Sequence, residues 1–125
     1  MGIFNAILGN AGTVNADELN KDYGNLLCDN EEIEIGFKVF RDVFIFTSKR
    51  LILIDVQGMT GKKIEYKSIM YKSISRFSIE TAGHLDLDAE LKIWISSEIK
   101  PSVEKKFSKG VNIYDLQKVL ASHLN

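Results

Sequence analysis

The order of apolar and polar positions divides the chain into a helical opening, a long alternating middle and a helical close. From Asn15 to about Leu27 the pattern opens as a helix, with Asn15 as N-cap, Glu18 completing a capping box and Val14 stapled against Leu19. Gly24 weakens its second half. After Asp29-Asn30 the period changes to two. Ile33, Ile35, Phe37 and Val39 fall on one side and Glu32, Glu34 and Lys38 on the other, which predicts a half-buried strand.

Val43-Phe44-Ile45-Phe46 and Leu51-Ile52-Leu53-Ile54 follow as strands, joined by the polar Thr47-Ser48-Lys49-Arg50. Both are apolar on both faces, so this part of the sheet requires cover on each side, from a helix, the N-terminal segment or another subunit. A glycine-punctuated turn over Gln57-Gly58-Met59-Thr60-Gly61 leads to a strand over Ile64 to Lys67. Ser75 to Glu80 repeats the alternation, and Thr81-Ala82-Gly83-His84 closes that hairpin. The next strand directs Leu87, Ala89, Leu91, Ile93 and Ile95 inward and Asp88, Glu90, Lys92, Trp94 and Ser96 outward.

A weaker strand, Val103 to Phe107, precedes Lys109-Gly110 and a terminal helix. Asn112 caps that helix, Asp115 completes its box, Val111 staples to Leu116, and Ile113, Leu116, Leu120 and Leu124 form its core stripe. Seven strands in succession and one amphipathic helix predict a mostly β domain. Its form is two packed antiparallel sheets or an incomplete barrel, with the helix closing one end.

A length of 125 residues, 45% of them hydrophobic and 26% charged, fits one globular domain with a real core. The net charge of -1, from 16 basic and 17 acidic residues spread along the chain, provides no general attraction to nucleic acid. Cys28 is the single cysteine, which excludes an intramolecular disulfide and a multi-cysteine zinc site and points to a reducing, cytoplasmic compartment. Beside Leu26 and Leu27 it reads as a small packed hydrophobe. The apolar stretch Met1 to Gly9 lacks the charged flank and cleavage signature of a signal peptide, and Ala6 stands where N-myristoylation requires Ser or Thr. Two readings of it stay open: an amphipathic element docking on the body or a partner, and a shallow membrane contact. No segment approaches the length of a membrane span.

Little in the chain points to catalysis. Asp86, Asp88 and Glu90 place three carboxylates at period two, as a hard cation requires, but without a glycine-turned loop they read as a solvated face with Arg76 and Lys92 as cross-strand partners. His84 and His123 sit in no nucleophile motif and read as surface residues. Gly58-Met59-Thr60-Gly61-Lys62-Lys63 lacks the spacing of a nucleotide-binding loop and reads as a basic-tipped turn. The expectation is therefore no enzyme activity, no metal and no cofactor.

Several ordered motifs carry a resemblance. They are Thr47 to Asp55, Gly58 to Lys63, Ser68-Ile69-Met70-Tyr71-Lys72-Ser73-Ile74, Glu80 to Gly83 and Asp86 to Trp94. Together, over about Glu32 to Leu124, the chain resembles the bacterial pleckstrin-homology (PH) domain family. The resemblance implies a seven-stranded PH-like barrel with a C-terminal capping helix over residues 31–125, preceded by an N-terminal helical extension over 1–30. It also implies homo-oligomeric rings, pentameric in subunit number, and no established enzyme activity. Met70 stands where the family pattern has proline, which implies a less rigid turn between the fourth and fifth strands.

A binding or assembly role is thus expected, with further copies of the chain and an unidentified protein as partners and no nucleic acid. The outward Trp94, with Phe40 and Tyr71, is the expected contact set, because aromatic side chains are favoured at interface cores. The alternative is a membrane surface or anionic lipid headgroup held by Lys38, Arg41, Lys49, Arg50, Lys62 and Lys63, although Asp42 directly follows Arg41.

Overall fold

A computed structural model describes residues 13, 14, 16–39, 41–81, 89–107 and 113–124. The expectations placed on Met1 to Gly9, Asn15, Phe40, His84, Asp86, Leu87, Asp88, Val111 and Asn112 lie outside the described residues.

Among the described residues two antiparallel sheets and two α-helices make the fold. The first sheet has the order β1 (Thr13–Val14), β2 (Ile33–Val39), β3 (Asp42–Thr47), β4 (Arg50–Gln57) and β5 (Lys63–Met70). The second has the order β6 (Ile74–Thr81), β7 (Ala89–Ile95) and β8 (Val103–Phe107). Helix α1 (Ala16–Tyr23) precedes β2, and α2 (Ile113–His123) ends the chain. The seven expected strands are present, and the two-residue β1 adds a short pairing of Thr13 with Phe37 and Val14 with Gly36.

Alternation along β3 and β4 sorts their side chains into two cores, since successive residues of a strand face opposite ways. Phe44, Phe46, Leu51 and Leu53 join Ile35 and Phe37 in the main core, which Leu91, Ile93 and Val103 of the second sheet and Leu116, Val119 and Leu120 of α2 complete. Val43, Ile45, Ile52 and Ile54 face the other way, with Leu19 and Ile33, and Ala16, Tyr23, Leu26 and Leu27 pack against them. The chain's own N-terminal segment is therefore the cover that the doubly apolar strands required, and these strands no longer argue for a second subunit. Each fully buried side chain of this kind contributes roughly 1.5–3 kcal/mol, so α1 is held mainly by Leu19.

Close approach of α1 depends on Gly36. A Cβ there would collide with Leu19 Cδ1 and lie 3.3 Å from the Phe44 carbonyl oxygen. Helical pairing ends at Tyr23, and Gly24–Leu26 continues as a 3-10 turn, shorter than the helix expected to reach about Leu27. A second departure concerns Ile33. The ladder runs Ile33 to Thr47 and Ile35 to Phe46, so β2 carries one extra residue, and this bulge turns Ile33 away from Ile35 and Phe37 into the smaller core. On α2, Val119 is fully buried and belongs with the expected Leu116 and Leu120, while Leu124 packs at the margin.

Barrel closure adds a charged tie. Lys105 of β8 reaches Asp42 at 3.0 Å and Asp55 at 3.2 Å, and Asp42 also accepts from the Val56 N–H at 2.9 Å. Burial raises the Asp55 carboxyl, but hydrogen bonds from Gln57 and Lys105 and the ammonium charge outweigh it and leave the group below its ordinary value.

Candidate functional site

The most concentrated polar constellation joins the N-terminal segment to the β3–β4 hairpin. Glu31 stands just before β2 with its side chain wholly buried. Arg50, opening β4, grips it with two nitrogens, Nε to Oε2 at 2.8 Å and an Nη to Oε1 at 3.0 Å. Thr47 Oγ1 donates to the same carboxylate at 2.6 Å and the Cys28 N–H donates at 3.0 Å. The Arg50 guanidinium also donates to the Leu26 carbonyl at 2.7 Å and to Ser68 Oγ at 2.8 Å. The Arg50 hydrogen bond above all, helped by Thr47, Cys28 and the guanidinium charge, overcomes burial and holds the Glu31 carboxyl at about 2, against an ordinary 4.5. A saturated ion pair of this kind has no open valence for substrate, so it fastens α1 and its following turn to the sheet.

The same network revises two expectations. Cys28 is exposed, since the turn places its backbone against Glu31 and its side chain outward. Arg50 is committed to Glu31, Leu26 and Ser68 and is not available as a free surface cation.

Tyr71 and His123 form a second constellation, inside the fold. Tyr71 opens a 3-10 turn over Tyr71–Ser73 that joins the sheets, and its hydroxyl donates to the Thr47 carbonyl at 2.7 Å. Its ring packs against the main core, and burial, with Glu34 and Glu31 nearby, pushes its ionisation upward. His123, expected at the surface, is half-buried: the last turn of α2 stacks its ring on Tyr71 at 4.1 Å and an interplanar angle of 5°. Its Nε2 also lies 2.7 Å from Glu34 Oε1, an ion pair when the imidazole is protonated. Tyr71 is thus engaged by its own chain at ring and hydroxyl.

Trp94 occupies a third place, the outer face of β7. Arg76, its cross-strand neighbour, lies over the indole at 4.4 Å, a cation–π contact. The indole Nε1 donates to the Ile99 carbonyl at 3.0 Å, so Arg76 and the 96–102 loop both lie against Trp94. That loop is pinned further by Ser96 N–H to Ser73 O at 2.7 Å and Ser102 N–H to Ile93 O at 2.8 Å. Ile99 projects from it, 90% exposed.

The six basic residues divide between two ends of the first sheet. Lys38, Arg41, Lys62 and Lys63 lie at the end of the β2–β3 and β4–β5 turns, where an Arg41 Nη donates to the Gly58 carbonyl at 2.6 Å. Lys49 and Arg50 lie at the other end of β4, about 23 Å away for a strand rising roughly 3.3 Å per residue. Between Gly58 and Gly61, both at positive φ where glycine is unstrained, Met59 is fully exposed. Of the three candidate carboxylates only Glu90 is described; Lys92, two positions on along the same strand, lies 3.9 Å from it and 2.8 Å from Glu80 of β6, while Arg76 lies over Trp94, so neither expected cation meets Glu90 across the strands. Among the described residues no cluster of acidic, histidine or cysteine side chains suits a metal ion, and no helix is long and apolar enough to cross a membrane.

The two sheets, the α2 cap and the residue pattern find close counterparts. The family model described as bacterial PH domain matches residues 2–124. The uncharacterized protein YjqA of Bacillus subtilis is 54% identical over 122 residues, covering 98% of each chain. A crystallised pleckstrin-homology domain from Shewanella amazonensis is 47% identical with a TM-score of 0.82, covering 99% of both chains. A pleckstrin-homology protein from Shewanella loihica is 49% identical with a TM-score of 0.78, covering 94% of this chain and 99% of that one.

Proposed function

Because the chain belongs to the bacterial PH domain family, whose fold alone assigns no activity, we propose that it is a non-catalytic assembly module. Its copies build a closed homo-oligomeric ring, of five subunits by the resemblance of its motifs, and the ring presents a polar surface to a protein partner. The observation that carries this reading is the Trp94 platform. An exposed Ile99 held on a loop tied at Trp94, Ser96 and Ser102 is ordered before any contact forms, so docking costs little further conformational entropy. A heterologous contact that meets itself after a full turn makes a ring.

Light scattering coupled to size exclusion tests it. The expected result is a discrete multiple of 14.1 kDa that Ile99→Lys dissociates while the circular dichroism spectrum is unchanged. A multiple that survives Ile99→Lys removes the Trp94 platform from the interface, and a monomer at all concentrations refutes the ring.

One observation favours a second reading, contact with an anionic lipid surface: the fully exposed Met59 sits at the apex of a turn beside Arg41, Lys62 and Lys63. Co-sedimentation with phosphatidylserine vesicles that is lost on Lys62→Glu/Lys63→Glu supports it; equal binding by both proteins refutes it.

A further inference from the structure

Strand β5 lies at one edge of the first sheet, and among the described residues it pairs with β4 alone. Its free side therefore carries backbone donors and acceptors without a partner strand. Opposite Val56, Ile54 and Arg50, the outer face of β5 bears Ile64, Tyr66 and Met70, which are 43%, 51% and 46% exposed. They continue the face of Ile52 and Ile54 to the sheet edge, where Tyr66 stands near Tyr23 at the end of α1. The other face bears Lys63, Glu65 and Lys67 before Ile69 enters the main core. Among the described residues neither Glu65 nor Lys67 is in an ion pair.

Charges on an edge strand ordinarily repel a second strand. Here their order discriminates between registers. If two copies of β5 meet antiparallel and keep the apolar face continuous, the twofold axis must pass through a residue, because a one-residue slip would set the apolar face beside the charged one. An axis at Glu65 opposes two glutamates and sets Lys63 against Lys67; an axis at Lys67 opposes two lysines. An axis at Tyr66 opposes Glu65 to Lys67 twice, places the two Tyr66 rings together and overlaps the strands from Lys63 to Ile69. An axis at Ile64 also opposes unlike charges, Lys63 to Glu65, but overlaps only those three positions of the strand. We infer that β5 is the surface by which two copies of this chain join edge to edge, antiparallel and centred on Tyr66, with Glu65 of each paired to Lys67 of the other.

Such a contact is isologous and closes after two copies. It is separate from the heterologous contact that a ring requires, and each can fail without the other. The test uses the full chain in an Ile99→Lys background, where the Trp94 platform is disabled, and measures self-association by sedimentation equilibrium. Glu65→Lys or Lys67→Glu alone should weaken pairing about tenfold, since each change sets like charges opposite one another at two places. The double exchange should restore it to within about threefold. A Tyr66→Cys variant carrying Cys28→Ser should form a disulfide-linked dimer on mild oxidation, because its thiol lies on the axis. Single variants that pair as tightly as the parent, a double exchange that restores nothing, or a parent that is monomeric throughout would each overturn the inference. In the last case the apolar stripe of β5 belongs to an occupant other than a second copy.

Discussion

Replacing Glu31 by Gln perturbs the fold at its most saturated polar point. The substitution preserves shape but removes the charge that Arg50, Thr47 and the Cys28 N–H converge upon. A carboxyl held at about 2 against an ordinary 4.5 corresponds to about 3 kcal/mol of stability, at 1.36 kcal/mol per unit. Removing one partner of a buried pair costs about 3–5 kcal/mol. The Arg50 side chain retains 20% exposure and two other acceptors, Leu26 O and Ser68 Oγ, which sets the expectation at the lower end, about 3 kcal/mol. For a domain of this size the melting temperature should fall by about 12 °C. The sign of the pH dependence follows from the depressed value: the contribution is complete above about pH 4.5 and disappears as pH falls through about 2. Urea unfolding followed by far-ultraviolet circular dichroism at a series of pH values measures the gap between the two proteins. It should be widest near neutrality and close toward pH 2. A gap below about 1 kcal/mol at pH 7, or one that does not change with pH, would refute the reasoning.

Two further outcomes follow from packing and burial. Gly36→Ala should destabilise the protein by about 1–3 kcal/mol, chiefly through collision with Leu19; in a Leu19→Ala background the cost should shrink, leaving only the close approach to the Phe44 carbonyl oxygen, and a thermal double-mutant cycle that shows no coupling would contradict the contact. Tyr71, whose ionisation burial pushes upward, should stay silent in an alkaline absorbance titration of the folded protein, so that fewer than the four tyrosines titrate before unfolding. Because the folded value is raised, this contribution is present below pH 10 and lost above it; Tyr71→Phe should flatten that alkaline loss and cost about 1 kcal/mol for the bond to Thr47 O.

Much of this architecture is written in local periodicity. The alternation from Ala89 to Ile95 separates the inward Leu91 and Ile93 from the outward Lys92 and Trp94, and Leu116 and Leu120 mark the buried side of α2. The two apolar faces of β3 and β4 are equally plain, and the demand for cover follows from them. That α1 supplies the cover depends on Leu19 meeting Gly36, 17 positions away along the printed chain, and no local pattern records it. Glu31 and Arg50 stand 19 apart, so the guanidinium that looks like part of a basic patch is found neutralised only when the turns fold over it. The bulge that reverses Ile33 is likewise a property of β2 against β3, not of either strand. Side-chain period is fixed by covalent neighbours, so the order of residues was enough for strands, helices and their apolar faces. Which carboxylate meets which cation, where His123 stacks and which strand ends a sheet among the described residues depend on pairings between distant residues, and those distances are set only when the strands lie side by side.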